Sequence, residues 1–197
     1  MKKKIVVSKV NKIILLLFFM LPFYAFSQKT VFQRNGKTLT IYDLPVDTLV
    51  YEIAYEKVVN LDSMTKEKIY LNCFEWVSKT YNSANSVIQM NDREAGVLVC
   101  KGVFLDCPFF PNKPDIKYTL TIKVKENKLK YRVDGFNVCI DKNCNSTQDI
   151  IDYIWSPFTF YSIKQKKEFP SKFNEYIELF IRNLINFTKG SNQSDDW

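Results

Sequence analysis

Hydrophobic and polar positions change rhythm several times along the chain. In "DTLVYEIAYEKVV", Leu49, Tyr51, Ile53 and Tyr55 fall on one side and Glu52 and Glu56 on the other, which predicts a half-buried strand. "NLDSMTKEKIYLNCFEWVSKTY" then switches to helical spacing. Ile69, Cys73, Trp76, Val77 and Thr80 share one face, Ser63 or Thr65 supplies the cap, and Asn82, Ser83 and Asn85 end the helix. "SVIQM" and "VLVCKGVFL" read as two strands joined by the polar turn "NDREAG", in which Gly96 suits a positive φ.

After the proline-rich "CPFFPNKPD" comes the clearest hairpin. Tyr118, Leu120, Ile122 and Val124 alternate with Thr119, Thr121, Lys123 and Lys125. A turn at Glu126-Asn127 returns Leu129, Tyr131 and Val133 against Lys130, Arg132 and Asp134. Residues 140–168 break the rhythm, yet their apolar content (Ile150, Ile151, Ile154, Trp155, Phe158, Phe160) predicts that they pack on the domain, with room for one helical turn. "PSKFNEYIELFIRNLINFTKG" closes the pattern as an amphipathic helix capped by Ser171 and stopped at Gly190, with Phe173, Ile177, Phe180, Ile181, Leu184 and Ile185 as its stripe. Strand, helix, four strands, helix predicts an α+β domain: a curved antiparallel sheet backed by two helices.

The ends divide off. "MKKKIVVSKVNK" is basic, "IILLLFFMLPFYAF" is apolar and "AFS" precedes Gln28, the layout of a secretory signal peptide over residues 1–27. Pro22 interrupts the apolar run, which is short for a membrane span, so no span is expected once the signal is removed. No cysteine precedes Cys73, which excludes a lipidated N-terminal cysteine and predicts a periplasmic or extracellular chain, soluble and not a lipoprotein. Residues 28–47 form an arm that is either extended or a hairpin about Asn35-Gly36. Residues 48–190 form one domain containing the 140–168 insertion, and 191–197 a polar tail.

That division alters the charge. The chain has 28 Lys+Arg and 21 Asp+Glu, but five lysines lie in the signal, leaving 23 against 21 and a net +2. A nucleic-acid partner is not implied. There is no histidine, which removes Ser-His-Asp and Cys-His catalysis and imidazole zinc sites within this chain. Nothing in the sequence implies a cofactor.

Five cysteines are an odd number for an oxidising compartment. Cys73 and Cys100 fall on apolar faces and read as core thiols. Strands ending near Cys107 and at Cys139 meet at one sheet edge in a meander. One disulfide is therefore expected among Cys107, Cys139 and Cys144, with a bridge from Cys107 to Cys139 or Cys144 favoured. "DKNCNSTQDIID" sets Asp141, Asn143, Asn145, Thr147, Asp149 and Asp152 at calcium-loop spacing, but Ser146 replaces the turn glycine and Asp152 the bidentate glutamate, so a polar loop is the better reading and no metal is expected. Trp76 reads as core, whereas Trp155 is open to a ligand. Asn145, Asn186 and Asn192 match glycosylation acceptors, a short pattern that is read here as coincidence.

"KEKIYLNCFEWVSKTYNSANSVIQMNDREAGVLVCKG" with "YTLTIKVKENKLKYRV" resembles a family of exported Bacteroidetes domains of unknown function with a TBP-like fold. The matching positions are Tyr70, Trp76, Val77, Val87 to Gln89, Asp92, Gly96, Lys101 and Gly102, then the hairpin from Leu120 to Val133, within roughly Leu49 to Phe136. The resemblance implies a curved antiparallel sheet backed by helices and no activity. The cysteines are not part of its pattern.

The expected function is a non-catalytic binding or structural module of the bacterial cell envelope, meeting an envelope protein or glycan. The expected surface is the polar sheet face of Thr119, Thr121, Lys123, Lys130 and Arg132, with Trp155 beside it. The alternative is a carboxylate-dependent enzyme acting on an envelope glycan or peptide, but no Asp/Glu pair is placed by the sequence to flank one bond.

Overall fold

The computed structural model describes residues 29–34, 37–42, 44–156 and 162–190. The expected signal peptide, its Gln28 junction, Phe158, Phe160 and the tail lie outside the described residues, as do the side chains of 29–42, Trp155 and Ile163.

The amino-terminal arm is a hairpin: β1 (Lys29–Arg34) pairs antiparallel with β2 (Lys37–Tyr42). A second small hairpin joins β3 (Val46–Asp47) to β4 (Glu52–Ile53). The strand expected from Leu49 is replaced here by a turn. The Asp47 carboxylate accepts from the Leu49 N–H at 3.0 Å, its carbonyl accepts from Tyr51 N–H at 2.8 Å, and Tyr51 takes φ 55°. Leu49 is left 89% exposed, so the alternating pattern was real only from Ile53 onward.

The main sheet is antiparallel and six-stranded. Its order is β10 (Thr147–Asp149), β9 (Lys128–Cys139), β8 (Ile116–Lys125), β7 (Val97–Phe104) and β6 (Ile88–Asp92). The far edge of β9 is shared, β5 (Tyr55–Asn60) taking residues 128–133 and β10 residues 137–139. A bulge makes this division possible. Gly135, at φ 64°, adds a residue to β9 opposite Tyr118, and the register passes from Thr119↔Asp134 to Lys117↔Asn137. The inward parity therefore changes from Leu129, Tyr131 and Val133 to Phe136 and Val138.

Helix α1 (Lys66–Thr80) covers the apolar face. Thr65 Oγ1 accepts from Lys68 N–H at 3.2 Å, and the Glu126 carboxylate in the β8–β9 turn accepts from Lys66 N–H at 2.9 Å, satisfying amides that a helix start leaves open. Its buried face holds Ile69, Tyr70, Asn72, Cys73, Trp76 and Val77, while Thr80 is exposed, contrary to expectation. A short α2 (Ala84–Val87) leads to β6, and Gly96 in the β6–β7 turn has φ 71°. The 140–168 segment contains β10, a short helix α3 (Ile150–Trp155), whose Ile150, Ile151 and Ile154 are buried, and, from Ile163, the start of the last helix.

Helix α4 (Ile163–Thr188) starts eight residues before the expected cap at Ser171. Ser162 and Gln165 form a reciprocal capping box, and Pro170 sits inside the helix. The missing Pro170 N–H forgoes one bond to the Lys166 carbonyl. That cost is offset because Phe169 and Pro170 are both buried, with Phe169 stacked on Phe173 at 5.2 Å. Helix α4 runs antiparallel to α1: Trp76 Nε1 donates to Asn183 Oδ1 at 2.7 Å and Asn72 Nδ2 to the Thr188 carbonyl at 2.8 Å.

Aromatic rings fill the layer between helices and sheet. Tyr55 lies among them, its ring edge-on to Phe136 and Phe173 and its hydroxyl buried without a hydrogen-bond partner among the described residues. An unpaired hydroxyl in an apolar site is destabilising. Tyr55→Phe is therefore expected to raise stability by about 1 kcal/mol in a denaturant titration. A loss of stability would show that the hydroxyl has a partner in solution.

Candidate functional site

Thr119, Thr121, Lys123, Lys130 and Arg132 share the face of the sheet turned away from the helices. Thr121 is opposite Arg132 and Lys123 opposite Lys130. The charges of Lys130 and Arg132 are not free. The Arg132 guanidinium donates to Asp134, lies 3.0 Å from Asp47 and 3.5 Å from Glu56, and Lys130 Nζ lies 2.7 Å from Glu56. Hydrogen bonding to Asp134 and Asp47 raises the pKa of Arg132. The Leu49 N–H and Arg132 hold Asp47 below the usual carboxylate range, and Lys130 does the same for Glu56. Two cations meet three carboxylates, so the weakly basic surface expected here is compensated from within; Lys123 has no ion-pair partner among the described residues.

The "DKNCNSTQDIID" loop is organised by its own backbone. Asp141 accepts from the N–H groups of Asn143 (2.9 Å), Asn145 (3.2 Å) and Ser146 (2.6 Å), which lower its pKa, the Ser146 bond most. Asp149 caps α3 by accepting from Ile151 N–H at 2.9 Å and Asp152 N–H at 3.4 Å. These carboxylates serve a turn and a helix start. Trp155 ends α3.

The disulfide joins Cys139 to Cys144, with Cα atoms 4.7 Å apart, and not Cys107 to either. Strand β10 folds back on β9 with Thr147 opposite Cys139, which brings Cys144 to hand. Cys107 instead turns inward after β7. It is fully buried, its Sγ donates to the Phe104 carbonyl at 3.5 Å, and burial pushes its thiol up to about 12. Burial likewise raises Cys73 to about 11 and Cys100 to about 12. Neutral, enclosed thiols are poor nucleophiles. A thiol-specific reagent should find none of the three in native protein at pH 8 and all three in denaturant; rapid native labelling would contradict their burial. Removing the bridge by a double Cys→Ser change closes no longer a loop of only about six residues and should cost about 2 kcal/mol.

Two concavities flank the end of β7. On the outer face a groove of roughly 550 Å³ is lined by Ser86, Gln89, Lys101, Lys117, Thr119, Asn137 and Thr147, with no carboxylate among its described lining residues. The disulfide loop forms part of its setting, since Lys117 Nζ donates to the Cys144 carbonyl at 2.7 Å. On the inner face a cleft of roughly 490 Å³ opens between α1, α4 and β7, walled by Trp76, Tyr81, Phe104, Tyr118, Tyr176 and Phe180. Gly102 lets the Tyr118 ring lie across β7, where it stacks on Phe104 at 4.0 Å and its hydroxyl meets that of Tyr81 at 2.6 Å. Burial raises the pKa of both tyrosines, so their hydroxyls stay protonated. Of the residues expected from the sequence only Thr119 lines the outer groove; carrying its parity back to Lys117 would have reached it. The cleft was not legible, because Tyr81 and Asn183 reach it from two helices whose pairing no local pattern shows.

No helix of the described residues is long and apolar enough to cross a membrane. No curated protein matches the chain. A TBP-like protein from Parabacteroides distasonis ATCC 8503 is similar in structure at a TM-score of 0.56 and 18% identity, over 70% of this chain and 93% of that one. A DUF4468 family protein from Bacteroides ovatus ATCC 8483 gives 0.57 and 11%, over 79% of this chain and 94% of that one. At such identities these two establish the fold alone. The family model for the domain of unknown function with TBP-like fold, DUF4468, matches residues 55–138, which span β5, α1 and nearly all of the β6–β9 meander. The fold is thus TBP-like, and the stretch from Tyr55 to Val138 is similar to the DUF4468 domains of unknown function.

Proposed function

We propose that the protein is a non-catalytic binding module of the bacterial cell envelope, exported by the 1–27 signal and meeting its partner on the sheet. The observation that carries this reading is the outer groove: hydrogen-bonding side chains and two lysines, with no carboxylate in its described lining. Such a surface suits a polar or anionic partner. The Cys139–Cys144 disulfide fits an oxidising compartment. The alternative, a carboxylate-dependent enzyme, needs a general acid whose pKa is raised. Asp47 and Glu56, which converge with Asp134 on Arg132, are instead held ionised by their partners.

The test uses the mature protein crosslinked in its native envelope. A partner should be recovered with the wild type and fall at least tenfold with Lys101→Glu/Lys123→Glu, two exposed changes that leave the melting temperature unchanged. Arg132 is unsuited to this test, because reversing its charge would set a fourth carboxylate among three. Turnover of a glycan or peptide that disappears with Glu56→Gln would overturn the reading. Intact-mass measurement should show the exported chain beginning at Gln28 without an acyl group; a retained amino terminus would remove the export argument.

A further inference from the structure

We propose that the open edge of β7, residues Lys101–Phe104, accepts an extended segment of a partner polypeptide as an added strand, one in which carboxylate-bearing residues alternate with large apolar ones. The inference deepens the binding-module reading and rests on it.

The edge itself comes first. Strand β6 pairs with β7 only as far as Ile88↔Cys100, where the chain departs through α2. Residues 101–104 therefore have β8 on one side and no strand on the other among the described residues. In an antiparallel sheet every second residue of such a stretch turns its N–H and C=O outward, ready to pair with another chain. Edges are commonly protected by charge, proline or a covering element. Here Lys101 is the one charge on the stretch, while Val103 is 39% exposed and Leu105, just beyond it, 67%.

The two concavities supply the specificity. Side chains of an added strand alternate between the faces of the sheet, as those of β7 do: Lys101 and Val103 outward, Gly102 and Phe104 inward. Each residue directed inward would enter the aromatic cleft, whose described lining has no charged side chain and whose mouth carries Leu179, 59% exposed. Each directed outward would enter the groove holding Lys101 and Lys117. Apolar on one side and anionic on the other is the pattern these walls complement. Main-chain bonds to the edge would supply affinity and the alternate pockets selectivity, the division of labour of strand addition.

The probe is a blocked heptapeptide of alternating aspartate and leucine, titrated into the mature protein, with hydrogen exchange followed at residues 101–104. Saturable binding is expected, with slowed exchange at those amides. Two versions N-methylated at either the leucines or the aspartates keep the side chains but lose alternate N–H groups, and one of them should bind at least tenfold more weakly. A lysine–leucine heptapeptide, and the parent peptide against Leu179→Asp, should each lose tenfold or more. The proposal is overturned if no binding occurs at millimolar peptide, if both methylated peptides bind like the parent, or if exchange at 101–104 is unchanged in the complex. It is equally overturned if those amides are already protected without peptide, since the edge would then be filled by the chain itself or by a second copy. A partner that is lost with Lys101→Glu/Lys123→Glu while the methylated peptides bind normally would sink strand addition and leave the binding-module reading standing.

Discussion

Phe173→Ala should lower the stability of the domain by about 4 kcal/mol, the range for emptying a large aromatic site in a packed core. Phe173 is fully buried, with ring centroids of Phe136 at 5.0 Å, Phe169 at 5.2 Å, Phe109 at 5.4 Å and Tyr55 at 6.3 Å. Those partners come from the sheet, the loop after β7 and α4 itself, so they cannot all close on one void. A chain of this size loses about 3 °C per kcal/mol, which puts the fall in Tm at roughly 12 °C by circular dichroism. A fall below about 4 °C would mean that the cluster collapses to fill the space.

The second large effect comes from adding one carbon. A Cβ on Gly102 would clash with the Tyr118 ring, 2.8 Å from Cε1 and closer still to Cζ and the hydroxyl. Gly102→Ala must therefore expel the ring, which gives up its stack on Phe104 and its bond to Tyr81. Overpacking of this kind costs about 1–3 kcal/mol, and the lost hydroxyl bond about 1 more, so a total of about 3 kcal/mol is expected. In the double variant Gly102→Ala/Tyr118→Leu the clash is gone. The two changes should then cost less together than their sum, by about 2 kcal/mol in a double-mutant cycle. Strict additivity would show that Tyr118 does not occupy the space above Gly102.

The hairpin from Ile116 to Val133 was legible because period-two alternation and a two-residue turn at Glu126-Asn127 are local signals, and the sheet buries one face only. The face of α1 was legible for the same reason, apart from Thr80, which is exposed, and from Tyr70 and Asn72, whose partners Asn91 and Thr188 lie outside the helix. What escaped depends on distant residues. Arg132 reads as a free cation until Asp47, 85 positions earlier, is brought beside it. Pro170 reads as a helix boundary until the capping box at Ser162 and the burial of Phe169 are known. The bulge at Gly135 leaves a trace in "VDGFNV", yet simple alternation carried past Val133 would have directed Asn137 inward in place of Phe136 and Val138. The cysteine pairing failed because spacing gives no hint that β10 turns back within a few residues of Cys139.

The clasp between α1 and α4 has a consequence in time. The bonds Trp76–Asn183 and Asn72–Thr188 span 107 and 116 positions, whereas β6 to β9 form a meander of neighbours in sequence. Local pairings form fast, and closing a long loop comes late. The sheet can thus be hydrogen-bonded, with α1 on its apolar face, before α4 covers Phe136, because α4 emerges last. During synthesis the nascent chain carries Phe136 and the α4-facing side of α1 uncovered until residue 188 is free to dock. Exposed faces of this kind are where aggregation starts. The interval before α4 arrives is therefore the one in which this chain is most open to aggregation.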